Sequence, residues 1–551
     1  MGKMDSWIGH WQRGVPTFKA ECAQAQANYL ERLDKPLKTQ EHVLEDIIHV
    51  CQKSLFWKEN GFQVSHCNGR ITRTNIPVMT YEGFRDILVR EGQQKGGILS
   101  CSPVVRWLKT SGTTGQSKRI PYTLHWIRQY RVPAIKAMWG FFAHDYPALH
   151  ANPWATLDTQ TVRDPSNEYV EGLPYQAISN RHPQIGSGDW NPPWYEAPWF
   201  TPTPDASHEQ KMYARLLWTL GEDVRLLTAI NPSTLLSLHH CLLENRERLL
   251  RDLHDGAHAG SLMRTADPAA AHRLESVLAR DGVSLPDVWP GLERFSCWTA
   301  ASAKLYKPQL ERIMGQAKVL PFMSCGTEGV VTLPVDDDQD SQPLAVDQAF
   351  FEFIPVSVDM DALIRDQVQP QTVSLDQLKE GDEYHLVMWQ GNGMVRMYTG
   401  DIYRVHGYYR GVPRISFSRR NGVMHSFTGE KITETQLHEA VQMCGIPNAG
   451  LYLCAPVWNE TPYYAVAIEA AGAPCGESER LSQLLDGHLQ AINIEYESKR
   501  SSKRLGQIKV ITVPGNAISM AIEQEKAARK TLQIKYKPFQ PDLSLLGIQQ
   551  L

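Results

Sequence analysis

WLKTSGTTGQSKRIPYT, residues 107–123, decides how this chain is read. Small or hydroxylated residues run unbroken from Thr110 to Gly115, and a lysine follows at 118. The flanks are apolar and strand-like, so the stretch is a loop between two strands, longer than a plain turn requires. Gly112 and Gly115 permit positive φ and a close approach of backbone to a ligand. The hydroxyls of Ser111, Thr113, Thr114 and Ser117, with exposed backbone N–H groups, form a concave set of donors suited to phosphate oxygens; Lys118 adds a point charge. A hairpin loop with surface hydroxyls is the plainer alternative on these residues alone. A Walker A loop is excluded, because the Gly-Lys-Ser/Thr ending is missing and a strand rather than a helix is expected next.

Outward from the loop, helical periodicity runs through residues 18–58, with Tyr29, Leu30, Leu33, Ile47, Ile48 and Val50 on its apolar stripe. Asn75–Thr80 reads as a short buried segment before a helix capped near Thr80, with Glu82 in its first turn. After the loop a long apolar helix is expected from about Thr123 to Phe142, bent or restarted at Pro133. Residues 150–205 are irregular, and 206–285 are helical and leucine-rich. The short runs KVLPFM, AFFEFIPV, EYHLVMWQ, VRMYTGDIYRV and RISFS are strands, and helix-then-strand alternation argues an α/β fold. Past Phe417 a helix near 432–443, the strands GLYLCAPVW and TPYYAVAIEA, a helix near 477–495 and the strand IKVITV suffice for a separate α+β domain. The acidic run DDDQD (336–340) is expected to be a solvated loop.

At 551 residues the chain exceeds one ordinary core, and the division expected is 1–418 and 419–551. Net charge is −4 on 56 basic and 60 acidic residues, which gives no global field for nucleic acid or an anionic membrane. No apolar run approaches a membrane span, and the opening MGKMDSWIGHWQRG has no apolar signal core. Gly2 and Ser6 fit the loose myristoylation pattern, which is short and common. Ten cysteines are scattered without zinc-like spacing, so reduced thiols in a cytoplasmic protein are expected.

TSGTTGQSKRIPYT resembles the phosphate loop of adenylate-forming enzymes, which attack the α-phosphate of ATP with a carboxylate and release pyrophosphate. Within that superfamily, IPVMTYEGFRDIL (76–88) resembles the auxin-responsive Gretchen Hagen family of acyl-acid amido synthetases and its bacterial relatives. Further landmarks follow in the family's order. VWPGLERFSCWTAASAKLY (288–306) is similar to its Trp-Pro segment, MSCGTEG (323–329) to its second nucleotide motif, and VRMYTGDIYRVHGYYRGVPRISFSRR (395–420) to its third. GVMHSFTGEKITETQL resembles the start of its C-terminal domain, and LQIKYKP (532–538) its terminal lysine segment.

The resemblance implies a large N-terminal adenylate-forming domain of mixed sheets and helices and a smaller, mobile C-terminal domain. It implies a ligase that adenylates a small carboxylic acid with Mg²⁺-ATP and passes the acyl group to an amine. Ser111 to Lys118 would hold the β- and γ-phosphates, Thr327 the α-phosphate and Glu328 Mg²⁺, a hard cation that takes oxygen ligands. Asp401 would accept from the ribose hydroxyls, and Arg420, where the hinge begins, would contact ribose or phosphate; an ordinary surface pair with Arg419 is the alternative. Lys535, in Gln533-Ile-Lys535, matches the lysine that bridges ATP and carboxylate, with Lys537 competing for the role. One departure concerns adenine: the family's stacking aromatic is replaced by Ser324 and Cys325, with Phe322 slightly upstream.

Trp126, Trp139, Phe141, Phe142, Trp190, Trp194, Tyr195 and Trp199 could line a pocket for an aromatic or apolar acid, or simply fill the core. Arg128 and Arg131 lie near, without a carboxylate to assign to either. His239, His240 and Cys241 are consecutive on a helix and share no ligand face. Lys499, Arg500, Lys503 and Arg504 are expected on a solvated helix end rather than a nucleic-acid surface. Transfer to a thiol, as in coenzyme A or a carrier protein, and a non-catalytic nucleotide-binding protein are the competing functions.

Overall fold

The computed structural model describes residues 3–110, 118–159, 168–176, 178, 190–197, 206–259, 262–299, 307–421, 424–425, 428–446, 449–470, 477–514, 517–518, 520–521 and 538–548. Compact packing separates a large unit that ends at Asn421 from a smaller one that begins at Gly422. Among the described residues no helix is long and apolar enough to cross a membrane, and the described cysteines are all free thiols.

The large unit is α/β. A parallel sheet runs in the order Lys318–Leu320, Arg294–Ser296, Leu226–Thr228, Thr156–Asp158. Its strands are three residues long and mostly buried, which is how parallel strands covered on both faces read. Leu226–Thr228 lies inside the stretch expected to be wholly helical: helices His208–Thr219 and Pro232–Glu244 flank it. A second sheet joins Val104–Thr110 to Lys118–Thr123 as an antiparallel hairpin, with Leu173–Gln176 parallel on the other side. The strand expected after the glycine loop is therefore present. A third, antiparallel sheet of five strands runs Gln342–Pro343, Val412–Arg420, Met397–Tyr409, Glu383–Trp389, Phe350–Pro355.

The helical region at the N-terminus is three helices, Lys3–Leu33, Pro36–Cys51 and Leu55–Glu59. The helix after the hairpin begins as one α-turn, Leu124–Trp126, passes through a π-turn at Ile127–Arg131 and continues as Val132–Asp145, so Pro133 follows directly on the π-turn that interrupts the regular ladder. The aromatic residues considered as pocket walls fill the core instead. Trp126, Trp139, Phe141, Phe142, Trp194 and Tyr195 are buried, and Phe18 of the first helix packs among several of these rings. Phe18 stacks on Trp190 at 5.8 Å and meets Trp139, Trp194 and His150 edge-on. Trp199 lies outside the described residues.

Two charged stretches also differ from expectation. The acidic run is a clamp: Asp336 and Asp338 hold the guanidinium of Arg414 at 2.7 and 3.0 Å. In the smaller unit, Arg500 is ion-paired at 2.7 Å with buried Asp486, and burial brings Lys499 down to about 8. Neither residue is simply solvated. His239 donates its Nε2–H to the Val283 carbonyl at 2.7 Å, which fixes that tautomer. The smaller unit itself is α+β: Ala449–Val457 antiparallel to Tyr463–Ala470, Lys509–Val513 parallel beside it, and helices Glu434–Met443, Glu477–Ile492 and Ile494–Ser501.

His150 gives the aromatic core a pH dependence. Its ring stacks on Trp194 at 5.2 Å, and burial lowers its pKa to about 3, with Lys19 adding to the effect. The folded chain holds the ring neutral, while the unfolded chain protonates it near the ordinary 6.5. Stability contributed by this group is therefore complete above that value and lost as pH falls below it. Urea midpoints should fall by an equivalent of roughly 2 kcal/mol between neutral pH and about pH 5. His150→Phe should flatten that dependence; an unchanged slope in the variant would dismiss His150 as its source.

Candidate active site

The second nucleotide motif is the tip of a tight hairpin. Ser324–Cys325 pairs with Val330–Thr332, and the Gly326 N–H donates to the Gly329 carbonyl at 2.9 Å across the turn that presents Thr327 and Glu328. Both glycines have a side-chain atom where a Cβ would stand. A Cβ on Gly326 would stand 2.7 Å from Glu328 Oε2, so the carboxylate folds back over the turn. A Cβ on Gly329 would stand 2.1 Å from Gln390 Nε2.

The third motif lies on Met397–Tyr409. Asp401 is half-buried, and its N–H donates at 3.1 Å to Thr399 Oγ1, whose hydroxyl donates to the Leu386 carbonyl at 3.1 Å. Gly400 takes φ +80°, a left-handed value that glycine adopts without strain. Arg420 pairs with Asp401 in the backbone ladder; nothing is described of its side chain.

Tyr403 brings the two motifs together. Its hydroxyl lies 3.3 Å from Ser324 Oγ. Burial holds it protonated far above the usual phenol range, and the charges of Asp401, Cys325 and Glu328 add to that effect. Carboxylates from both motifs therefore act on one buried hydroxyl. Phe417 packs edge-on against Tyr403 at 5.8 Å and against Trp298 at 6.0 Å, so aromatic surface adjoins the position where Ser324 and Cys325 stand.

The phosphate-loop residues Ser111, Gly112, Thr113, Thr114 and Gly115 lie outside the described residues, as do Lys535 and Lys537. The loop's two ends are described. Thr110 and Lys118 face each other in the hairpin register, Lys118 Nζ sits 5.0 Å from the Tyr81 ring centre, and the Lys118 carbonyl accepts from the Tyr175 hydroxyl at 3.3 Å. The Tyr81 hydroxyl accepts the Arg119 N–H at 2.7 Å. Two tyrosines thus pin the mouth of the loop.

Tyr403 and Gln390 escaped the sequence reading. A bulge between Ile402 and Tyr403 breaks the ladder with Val412–Arg420, so strict alternation does not place Tyr403 beside Ser324. Gln390 carries no motif at all. The support beneath both motifs was equally hidden: Arg396 is bound to Glu352 at 2.8 Å, donates to the Ile76 carbonyl at 2.7 Å, and shares Glu352 with the Trp389 indole.

Family models match almost the full length in three successive pieces. The GH3 family N-terminal domain covers residues 26–319, its central domain 342–420 and its C-terminal domain 435–537. The chain belongs to the GH3 family. Among curated proteins it is 24% identical over 478 residues to the indole-3-acetic acid-amido synthetase GH3.2 of Arabidopsis thaliana, spanning 78% of this chain and 82% of that protein. The probable indole-3-acetic acid-amido synthetase GH3.1 of Oryza sativa subsp. japonica is 27% identical over 398 residues, or 67% of this chain and 63% of that one. The solved GH3.15 acyl acid amido synthetase in complex with 2,4-DB superposes with a TM-score of 0.61 at 19% identity, covering 96% and 95% of the two chains. The fold of this GH3 chain is thus that of a solved amido synthetase.

The Arg396–Glu352 pair is the site's foundation and can be tested apart from activity. Glu352→Gln leaves a buried guanidinium without its charge partner and should cost about 3–5 kcal/mol of stability. Pairing it with Arg396→Met should recover much of that loss in thermal unfolding. A double variant no better than the single one would show that geometry rather than charge is what the pair supplies.

Proposed function

We propose that this GH3 chain is an acyl-adenylate-forming ligase: it joins a small carboxylic acid to an amine as an amide, converting ATP to AMP and pyrophosphate. The convergence of the second and third motifs on Tyr403 carries this reading. Support also comes from the curated relatives, which are named amido synthetases. The same names favour an amine over a thiol as acceptor.

Two anions must meet for a carboxylate to attack an α-phosphate, so the site has to supply positive charge and donors where charge develops. The loop Ser111, Gly112, Thr113, Thr114, Gly115 and Lys118 is assigned to the β- and γ-phosphates, and Thr327, presented by the tight turn, to the α-phosphate. Glu328, half-buried and acting on the same hydroxyl as Asp401, has the hard oxygen donors that Mg²⁺ takes. Bound there, Mg²⁺ would neutralise phosphate charge as pyrophosphate departs. Asp401 is assigned to the ribose hydroxyls and Arg420 to ribose or phosphate. For adenine we assign the Phe417 and Trp298 surface in place of the missing motif aromatic.

Lys535 is assigned to the transition state of adenylation, ahead of Lys537. The segment that carries both leads into Pro538, which is anchored on the smaller unit: its carbonyl accepts the Cys454 N–H at 2.6 Å, and Gln540 bonds Cys454 in return at 2.8 Å. Swinging of the C-terminal unit between half-reactions would remove the lysine for the second step. A cytoplasmic setting suits the free thiols.

The test is carboxylate-dependent pyrophosphate release from Mg²⁺-ATP across aromatic, aliphatic and amino acids. Lys535→Ala should lower the adenylation rate by about 10²-fold or more while ATP affinity stays within a few-fold, because the charge is used only in the transition state. Lys537→Ala should do less. Unimpaired release in Lys535→Ala would remove that assignment. Silence of the parent protein across the panel, with ATP bound, would favour a nucleotide-binding protein.

A further inference from the structure

Two glutamines of the large unit are fully buried, and they differ in one respect. Gln40 spends its whole carboxamide on the backbone: Nε2 donates to the carbonyls of Val346 and Ala349, and Oε1 accepts the Phe351 N–H. Gln390 does not. Its Nε2 meets only the Met388 thioether, at 3.8 Å, and its Oε1 is buried without a hydrogen-bond partner. A buried acceptor left without a donor is destabilising.

The backbone that carries Gln390 is fixed on every side. Its N–H donates to the Met394 carbonyl at 3.2 Å and its carbonyl accepts the Gly393 N–H at 3.0 Å, closing the turn between Glu383–Trp389 and Met397–Tyr409. That turn is wedged on three sides. A Cβ on Gly391 would stand 2.6 Å from the Tyr130 ring, one on Gly393 2.6 Å from the Leu99 backbone, and Asn392 donates to the Pro121 carbonyl at 3.2 Å. The carboxamide is held directly behind Gly329, against the turn that presents Thr327 and Glu328.

An open, rigid acceptor beside that turn calls for a donor. Near the reacting carbon, the carboxylate, the phosphate and the mixed anhydride offer acceptors only. The amine is the reactant that brings N–H groups to that carbon. Building on the ligase reading above, we propose that Gln390 positions the acceptor amine, its Oε1 taking one N–H so that the nitrogen lone pair faces the acyl carbon. In the transfer, that lone pair forms the C–N bond while the bond from the acyl carbon to the phosphate oxygen breaks. AMP leaves with the electron pair, and one proton passes from nitrogen to solvent. Gln390 takes no proton; it orients.

The two half-reactions separate this role from a structural one. The readouts are carboxylate-dependent ATP–pyrophosphate exchange, which stops at the adenylate, and amide formation with a panel of the common amino acids as amines. Gln390→Met keeps the volume and removes the acceptor. It should leave the exchange rate and the KM values for acid and ATP within about twofold, and raise the amine KM about tenfold, the worth of one buried hydrogen bond. Gln390→Glu, which restores an oxygen acceptor, should recover most of the amine KM. The proposal fails if Gln390→Met slows exchange and amide formation equally, since the side chain then merely props the turn, or if the amine KM does not move. A shift in the ATP KM instead would hand the open oxygen to the nucleotide. Absence of exchange in the parent protein would sink the ligase reading itself, whereas exchange with an unmoved amine KM sinks only the role of Gln390.

Discussion

Arg396 is the post on which the motif-bearing half of the large unit stands. One guanidinium reaches three pieces of chain that are far apart in sequence: Glu352 on Phe350–Pro355, the Ile76 carbonyl, and Thr372. Its own backbone takes φ +52°, unusual for a residue with a Cβ, and its carbonyl accepts the Met79 N–H at 3.1 Å. The segment Asn75–Thr80 is thereby sewn to the start of Met397–Tyr409, the strand that carries Asp401 and Tyr403. Glu352 in turn is filled by Arg396, the Trp389 indole and the Thr372 hydroxyl. A buried ion pair earns little net stability when so fully solvated by protein, but it fixes register, and register is what a site spread over three strands requires.

What could be read in advance followed from local chemistry. The hairpin around residues 107–123 was legible because glycines and hydroxyls between two apolar runs have few other solutions, and Val104–Thr110 does pair with Lys118–Thr123. The long-range content was not. Leu226–Thr228 is three residues of strand among leucine-rich helices, too short for its period to show against theirs. Arg414 neutralises Asp336 and Asp338 from 76 to 78 residues away, and no local rule pairs them. The tryptophan-rich stretch was ambiguous for a different reason: an aromatic wall and an aromatic core have the same composition. Phe18, supplied by a helix more than 100 residues earlier, is what decides between them.

Motif residues and the residues behind them therefore carry different kinds of information. Thr327 and Glu328 stand on a turn and Asp401 follows Gly400 in a strand, so glycine spacing marks all three. Tyr403 acts through burial, and its hydroxyl matters because Asp401, Cys325 and Glu328 all bear on it. A substitution there would alter two motifs at once, although only the third contains it.

The same reasoning applies to the glycine that closes the second motif. Gly329 is small because Gln390 Nε2 occupies the space its Cβ would need. The constraint comes from a side chain 61 residues later, itself held by a turn with glycines at 391 and 393. Position 329 and position 390 are thus one steric unit. A smaller residue at 390 would relax the demand for glycine at 329 and would also open the space beside the turn that presents Thr327 and Glu328. Because that turn is part of the second motif itself, positions 329 and 390 change together or the turn moves.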